Sequence, residues 1–570
     1  MSTCTDRVRL AYRRLHAADR PEVWITLRAE EQLLAQASDL DVRLAEGADL
    51  PLAGLVFAVK DNIDVAGVPT TAACPSYTYS PTRDATAVAR LLAAGALCLG
   101  KTNLDQFATG LVGTRSPYGA VRHAHQPDKI SGGSSSGSAV AVALGIVDFA
   151  LGTDTAGSGR VPAALHGIIG LKPTLGLVPN TGVVPAARSF DCVTVFADTL
   201  GIAQQALRVM TGPDPDDAGS RVWPSTTRYA AANPLRIAVP DRPGLASLTE
   251  AARGAFDATV ERLRDGGAEI TVLDIAPLLE AAKLLYDGAL VAERYAAVGE
   301  FLDTEPEDAD PTVAGIILGA REIPAHRLAA DFARLDRYRA TAAALLDGHD
   351  ALLTPTTTGH PSIAEVAADP VGVNSRLGVY TNFVNLLDLA AVAVPAGSAD
   401  GSPFGVSVVT RAFDDQIGLD IAATIVGELL ESPYPGDGVD LLVFGAHLRG
   451  QPLNHQLTAL GARYRDTVRT LPEYRMVALP TRPAKPGIIR DTVRGAALTA
   501  ERWTLSTAAL GTFLAALPAP MALGRIGIDT GETVIGFHCD PDTAATGTDI
   551  THLGAWTRYL EGGAALPVSR

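Results

Sequence analysis

Short apolar runs alternate with alanine-rich segments over the first three quarters of the chain. The apolar runs have the length of buried strands and the alanine-rich segments have the composition of buried helices. The strand-like runs are residues 55–59, 96–100 and 149–151, and the helix-like segments are residues 85–94 and 138–144. This order predicts an α/β domain in which strand ends deliver side chains to one crevice.

The pattern changes near residue 435. A helical segment over residues 414–430 is followed by a Pro- and Gly-rich stretch at 431–438 and an apolar run at 441–444. Beyond it, short strand-like runs (475–479 and 534–538) mix with a helix-like one (506–517). The sequence therefore predicts a catalytic domain over residues 1–432, a linker at 433–440 and a smaller α+β domain over 441–570. The first forty residues are predicted as helices that pack or form oligomer contacts.

Length, charge and composition limit which classes of protein the chain can belong to. At 570 residues the chain exceeds what one hydrophobic core usually serves, which agrees with two domains. The net charge of −16 and the lack of a basic run argue against a nucleic-acid or anionic-membrane partner. The N-terminus shows no secretory pattern, and the most apolar run, 139–151, is too short to span a bilayer. We therefore expect a cytoplasmic protein.

The cysteines carry no pattern of their own. Five are scattered without a Cys-x-x-Cys pair, which disfavours both a disulfide framework and a zinc site. We expect inert thiols and no metal.

The candidate chemistry lies between residues 55 and 175. Lys60 ends an apolar run, where burial would lower its pKa and favour the neutral amine that a general base requires. A Gly/Ser loop at 130–138 leads into a helix, and a second Gly-rich loop at 152–160 follows the next strand. A serine needs a neighbouring base to act as a nucleophile, and these segments can supply one.

These segments, in this order, resemble the amidase signature family. The resemblance rests on Lys60 at its strand end, on Ser-Gly-Gly-Ser-Ser-Ser-Gly at 131–137, on Gly-Thr-Asp-Thr-Ala-Gly-Ser at 152–158 and on Gly-Leu-Lys-Pro-Thr at 170–174. It implies the amidase-signature fold, a mixed central sheet covered by helices. It also implies amide-bond hydrolysis by a Ser-Ser-Lys triad that needs no metal or organic cofactor.

The resemblance assigns a role to each member of the triad. Ser158 would be the nucleophile, Ser134 the bridging serine that follows a cis peptide bond and relays the proton, and Lys60 the base. The implied oxyanion hole consists of four backbone amides, those of Thr155, Ala156, Gly157 and Ser158.

Three neighbours of the nucleophile also stand out. Asp154 and Arg160 flank Ser158 and are expected to hold its loop by hydrogen bonds. His166 stands where related hydrolases often carry asparagine, which leaves the local packing open.

Within the family, the chain resembles the allophanate hydrolases. The basis is the Thr-Ala-Gly-Ser-Gly-Arg form of the nucleophile loop, the stretch 285–295 and the appended C-terminal domain. In those enzymes a tyrosine and an arginine two helical turns apart bind the substrate, and Tyr286 and Arg294 match them. Allophanate is a small carboxylate anion, which a guanidinium can hold bidentately. The alternative is that Arg294 pairs with Asp287 or Glu293 on an exposed helix.

The opening of the C-terminal domain, residues 444–457, resembles the second domain of those hydrolases, which is similar in fold to γ-glutamyl cyclotransferases. There it is associated with decarboxylation of the first product, N-carboxycarbamate. His447 and His455 are candidates for proton transfer because imidazole titrates near neutral pH, although a purely structural domain stays open. The resemblance also implies a homodimer and a link to urea carboxylase or to cyanuric-acid degradation.

Two other interpretations remain. Another small-molecule amidase, or an amidotransferase subunit, would share the triad but not the pair Tyr286 and Arg294 together with this appended domain. A non-enzymatic scaffold would have a broken triad, whereas all three positions are intact.

Overall fold

The structure, a computed structural model, describes residues 3–430, 433–436 and 438–562. These residues form two compact units. The first comprises the described residues of Met1–Val222 and Pro234–Tyr434, and the second those of Trp223–Asn233 and Pro435–Arg570. The expected mixed α/β fold with a second, smaller unit is confirmed.

One segment departs from the predicted domain boundaries. Residues 223–233 were expected in the first domain but cluster with the second unit. The backbone amides of Tyr229 and Ala230 both donate to Gly461 O, and the Tyr229 side chain is buried. The predicted linker already contains the start of a strand at Val439, while residues 431, 432 and 437 lie outside the described ones.

Among the described residues, eleven strands form the sheet of the first unit. The strands are β1 Trp24–Leu27, β2 Val56–Lys60, β3 Leu97–Thr102, β4 Phe149–Asp154, β5 Ile169–Lys172, β6 Cys192–Ala197, β7 Arg236–Pro240, β8 Glu269–Leu273, β9 Ala351–Pro355, β10 Leu389–Ala399 and β11 Ser402–Arg411. Their order is β1-β3-β2-β4-β6-β5-β10-β11-β9-β7-β8. Parallel and antiparallel pairs both occur, so the sheet is mixed.

Helices accompany this sheet along the chain. They are α1 Cys4–Ala18, α2 Glu30–Ala45, α3 Thr86–Ala93, α4 Ser136–Ala143, α5 Val161–His166, α6 Leu200–Met210, α7 Glu250–Asp265, α8 Ala276–Lys283, α9 Ala292–Leu302, α10 Pro311–Leu318, α11 Ala325–Leu345, α12 Ile363–Ala368, α13 Gly372–Leu377, α14 Asn382–Leu386 and α15 Asp415–Val426. The first forty residues are not all helical as predicted, because β1 separates α1 from α2 and pairs with β3. None of the helices in the described ranges is both long and apolar enough to cross a membrane.

The described residues of the second unit form two smaller sheets. Its strands are β12 Val439–Val443, β13 Arg463–Arg469, β14 Tyr474–Leu479, β15 Lys485–Arg490, β16 Thr499–Leu505, β17 Met521–Gly527, β18 Thr533–Cys539 and β19 Thr548–Asp549. Its helices are α16 His455–Thr458, α17 Thr507–Ala515, α18 Pro541–Thr546 and α19 Trp556–Glu561. The sheet orders are β13-β16-β12-β18-β17 and β15-β14-β19.

Three parallel neighbours of the large sheet position the candidate site. β2 lies between β3 and β4 and runs parallel to both. Every residue of these strands is buried, as expected for parallel strands covered on both faces. Their carboxyl ends therefore meet at one edge of the sheet, which carries Lys60 at the end of β2 and Asp154 at the end of β4.

Candidate active site

Lys60 has a fully buried amine with two hydroxyl neighbours. Its Nζ lies 2.7 Å from Ser134 Oγ and 2.8 Å from Thr153 Oγ1, and the side chain is 0% exposed. Thr153 belongs to β4, so the sheet itself fixes one of these contacts. The structure thus brings the predicted base and the predicted bridging serine into direct contact.

Burial sets the protonation state of that amine. Desolvation lowers the pKa of Lys60 to about 7, against the opposing charges of Asp105, Asp154 and Asp191, while the nearby charge of Arg294 lowers it further. The amine is therefore neutral in a large fraction of molecules near pH 7. A neutral amine can accept a proton from Ser134, which a charged one cannot.

Asp105 connects its own loop, residues 105–115, to the loop that carries Ser134. Its carboxylate accepts the backbone amides of Val112, Gly113 and Arg115 at 3.0–3.1 Å, and its own amide donates to Ser134 O at 3.1 Å. A Cβ on Gly133 would meet Asp105 Oδ2 at 2.0 Å, so this position requires glycine. The peptide bond between Gly133 and Ser134 is cis.

Asp154 shapes the loop that carries Ser158. Its carboxylate accepts the amides of Gly157 and Gly159 at 2.8 and 3.0 Å, and it forms a bidentate ion pair with Arg160 at 2.9 Å. Both side chains are 0% exposed. Burial would raise the pKa of Asp154, but the Arg160 guanidinium holds it below its ordinary value. The expected hydrogen bonds of Asp154 and Arg160 to the nucleophile loop are therefore present.

The Gly157 amide differs from the other three amides of the predicted oxyanion hole. Its N–H donates to Asp154 Oδ1, so that amide is already engaged and does not point freely at a substrate. Its φ of +130° is open mainly to glycine, and a Cβ there would meet Thr381 Oγ1 at 2.3 Å. The amides of Thr155, Ala156 and Ser158 are the predicted donors that remain.

Asp191 holds the other end of the nucleophile loop. Thr155 Oγ1 donates to Asp191 Oδ1 at 2.5 Å, and the same carboxylate accepts the amide of Ala186 at 2.9 Å. A cavity of about 370 Å³ opens beside Asp191, with Asn180 and Arg188 among its lining residues. Its lining includes Asp191 but none of the triad residues.

Arg294 is buried among polar groups. The side chain is 1% exposed, its Nη1 donates to Thr109 Oγ1 at 2.8 Å, and its Nη2 donates to Tyr286 OH at 2.9 Å. Within the described part of the chain, Nε has no hydrogen-bond partner and the guanidinium has no carboxylate partner. The alternative of an ion pair with Asp287 or Glu293 on an exposed helix is wrong, because Arg294 is buried and donates to Thr109 and Tyr286 instead.

His166 packs into a group of histidines beside α5. Its ring stacks on that of His123 with 4.2 Å between centroids. Each ring accepts a backbone amide through one nitrogen, His123 from Gln126 at 3.0 Å and His166 from Ala124 at 3.3 Å. Those contacts require the neutral imidazole. Burial lowers the pKa of His123 to about 4 and lowers that of His166 as well.

The two C-terminal histidines differ in environment. His447 is buried, its Nε2 lies 2.9 Å from Gln456 Oε1, and it lines a small cavity that includes Lys485. Burial lowers its pKa. His455 is exposed, with its Nδ1 2.9 Å from Pro452 O. His447 is therefore the stronger of the two candidates.

The cysteines are all buried free thiols. Burial raises the pKa of each of them, to about 12 for Cys74 and to about 11 for Cys4, Cys98 and Cys192. High thiol pKa values agree with the expectation of inert thiols.

Comparison with known proteins decides the family. Residues 6–419 match the family described as Amidase. The chain belongs to the amidase family. It is accordingly an amidohydrolase, and residues 439–561 of this amidase match the family described as Allophanate hydrolase C-terminal domain.

Relatives match over nearly the whole chain. The urea amidolyase of Saccharomyces cerevisiae is 43% identical over 571 residues, which cover 94% of this chain and 31% of the relative. The solved structure of the Kluyveromyces lactis allophanate hydrolase superposes on this chain with a TM-score of 0.89 at 41% sequence identity. The match covers 98% of this chain and 97% of that one. The urea amidolyase structure of the same yeast has a TM-score of 0.90 at 41% identity over 99% of this chain and 36% of that one. This amidase thus spans about a third of the length of the curated relatives.

Several contacts of the site were not predicted from the sequence. Asp105, Thr109 and Thr153 were missed, and so was Asp191. Asp105 follows β3, the parallel neighbour of the strand that carries Lys60, so its place after a strand end was an available signal. Asp191 had no such signal, because it precedes an antiparallel strand.

The Lys60 pKa predicts the pH profile of this amidase. Because only the neutral amine accepts the proton, kcat/KM should rise with pH through about 7 and level off above it. Initial rates of ammonia release between pH 5.5 and 9 measure this. Lys60→Arg stays charged and should lose activity by about 10²–10⁴-fold at every pH. A profile that is flat between pH 6 and 8 would contradict the assignment.

The histidine stack predicts a loss of stability in acid. Unfolded histidines bind protons below pH 6.5, whereas folded His123 stays neutral down to about pH 4, so stability falls as pH drops between these values. Each such histidine contributes at most about 1.4 kcal/mol per pH unit. Asparagine at position 166 keeps a donor and an acceptor but does not titrate.

Chemical denaturation at pH 7 and pH 4.5 provides the measurement. His166→Asn should lose less stability between the two pH values than the wild type, and the exposed His326→Asn should match the wild type. Equal losses in all three proteins would show that the stack does not carry the effect.

Proposed function

We propose that this amidase hydrolyses allophanate and that Lys60, Ser134 and Ser158 are its catalytic triad. Similarity to an allophanate hydrolase over 98% of the chain supports the substrate. Two observations support the triad. Lys60 contacts Ser134, and the Asp154 carboxylate holds the loop that carries Ser158.

The proposed reaction begins at Ser158. Its Oγ attacks the amide carbonyl of allophanate while the proton passes through Ser134 to the neutral amine of Lys60. The amides of Thr155, Ala156 and Ser158 stabilise the oxyanion, and such donors are worth about 3–4 kcal/mol each. Lys60 returns the proton through Ser134 as ammonia leaves, and water then releases N-carboxycarbamate from the serine.

The observation that carries the choice of substrate is the state of Arg294. A buried guanidinium normally has a carboxylate partner, because an unpaired buried charge is costly. Thr109 and Tyr286 occupy Nη1 and one N–H of Nη2, which leaves Nε and the second Nη2 N–H as a fork. A substrate carboxylate is the ligand that such a fork binds best.

The second unit is proposed to act on the first product. His447 lies in a small cavity with Lys485, so a carbamate-like anion there meets a cation and an imidazole that can transfer a proton. Decarboxylation of N-carboxycarbamate at this cavity takes up one proton and yields carbon dioxide and carbamate. The carbamate then takes up a second proton and breaks down to a second carbon dioxide and the second ammonia. The similarity to yeast urea amidolyases supports a link to a urea carboxylase activity. The homodimer, the cytoplasmic location and the cyanuric-acid route stay predictions.

A substrate comparison tests the first reaction. Wild type should prefer allophanate over malonamide, acetamide and glutamine, and Ser158→Ala should be inactive with all of them. Arg294→Gln should lose about 10- to 100-fold or more in kcat/KM for allophanate, because a charge-assisted bond is worth about 1.5–3 kcal/mol. Its rate with malonamide should change little.

The outcomes separate the alternatives. Preference for a neutral amide by the wild type would make the protein another small-molecule amidase. Equal losses for Arg294→Gln on both substrates would mean that Arg294 does not bind the carboxylate.

A second comparison tests the C-terminal unit. His447→Asn should leave the first ammonia unchanged but slow the release of the second, whereas the exposed His455→Asn should behave as wild type. Rapid-quench measurement of ammonia against carbon dioxide resolves the two steps. Wild-type timing in His447→Asn would indicate that the product decarboxylates without help from His447.

A further inference from the structure

We infer that Thr109 is a positioning residue that sets the preference of this amidase for carboxylate-bearing amides. This inference rests on the proposed binding of a substrate carboxylate by Arg294. Thr109 Oγ1 accepts a hydrogen bond from Arg294 Nη1 at 2.8 Å, and Thr109 is 0% exposed. Thr109 acts on the substrate only through Arg294.

The Thr109 hydroxyl has a fixed direction. It donates to Phe107 O at 3.1 Å, so its lone pairs remain for the guanidinium. The Thr109 amide donates to Gln106 O at 3.0 Å, and its carbonyl accepts from Arg115 Nη1 at 3.0 Å. Every polar group of the residue is thus held, and the acceptor presented to Arg294 cannot turn away.

The backbone before Thr109 has an unusual conformation that supports this role. Phe107 and Ala108 have φ values of 50° and 52°, a left-handed region that residues with a Cβ rarely occupy and that costs about 1 kcal/mol or more per residue. The Phe107 amide donates to Ala72 O at 3.0 Å, which stabilises the bend. The bend also places Ala108 O 3.5 Å from Arg294 Nη1.

The same loop is tied to the bridging serine. Asp105, four residues before Thr109, accepts the amides of Val112 and Gly113 and contacts the Ser134 loop through its own amide. The carboxylate of Asp105 therefore holds the loop that contacts Arg294, and the backbone amide of the same residue joins that loop to the one that carries Ser134. A change in the Arg294 contact can be made at Thr109 without touching that carboxylate.

The position of the hydroxyl explains how it sets specificity. By occupying Nη1 from one side, Thr109 fixes the plane of the guanidinium and directs the Nε and Nη2 edge toward a ligand. Without that contact the guanidinium keeps its bond to Tyr286 but loses the second point that sets its orientation, so its fork no longer faces one fixed point. Binding of an anionic amide should weaken, while a neutral amide, which does not need the fork, should bind as before.

Calorimetric titration in a Ser158→Ala background tests this without turnover. Malonamate, a carboxylate-bearing amide, and malonamide, its neutral counterpart, are the probes. Adding Thr109→Val, which keeps the shape but removes the acceptor, should weaken malonamate binding about 10- to 100-fold and change malonamide binding less than about threefold. Thr109→Ser should restore malonamate binding. Thr259→Val, which removes a buried hydroxyl in α7, is the matched control and should have no effect.

In the otherwise wild-type enzyme, Thr109→Val should raise KM for malonamate or allophanate with little change in kcat. Equal weakening of both probes, or failure of Thr109→Ser to restore binding, would overturn the inference. A parent that binds both probes equally would overturn it together with the proposed role of Arg294. Selective binding of malonamate without hydrolysis of allophanate would contradict the proposed function while the role of Thr109 stands.

Discussion

The removal of one amine from water is the constraint on which the rest of the site depends. Lys60 ends a strand that is buried on both faces. Among the residues that the structure describes, no carboxylate touches its Nζ, and its two contacts at hydrogen-bond distance are the hydroxyls of Ser134 and Thr153. Desolvation therefore dominates over the more distant charges of Asp105, Asp154 and Asp191 and brings the pKa to about 7. A direct ion pair would have kept the amine charged and useless as a base.

The carboxylates of Asp105 and Asp154 hold loops of the site in place. Asp105 and Asp154 each accept several backbone amides of one loop, and a buried carboxylate with such donors fixes the loop more firmly than a single side-chain contact. Asp105 holds residues 112–115 and contacts the Ser134 loop through its backbone amide, and Asp154 holds the Ser158 loop with the help of Arg160. The glycines at 133 and 157 are required because these loops pass close to other atoms.

The sequence predicted the candidate catalytic residues because they lie at the ends of strands and helices. Lys60, Ser134 and Ser158 each lie next to a strand or helix end, and their motifs led to the fold and family that the comparisons confirm. The oxyanion hole was predicted from the motif. The hydrogen bond from the Gly157 amide to Asp154 was not predicted, because it depends on the path of the loop, which the sequence pattern does not show. The packing of residues 223–233 with the second unit is a contact between distant parts of the chain, which local patterns do not encode.

The most direct test of this account is the titration of Lys60 itself. The chain has six lysines, so the NMR spectrum of protein labelled at lysine Cε should resolve into few signals, and Lys60→Met identifies the one that matters. The account predicts that this signal shifts with a pKa of about 7 in the free enzyme. A midpoint near the ordinary lysine value of about 10.4 would show a charged amine at neutral pH and would contradict the role of Lys60 as the base.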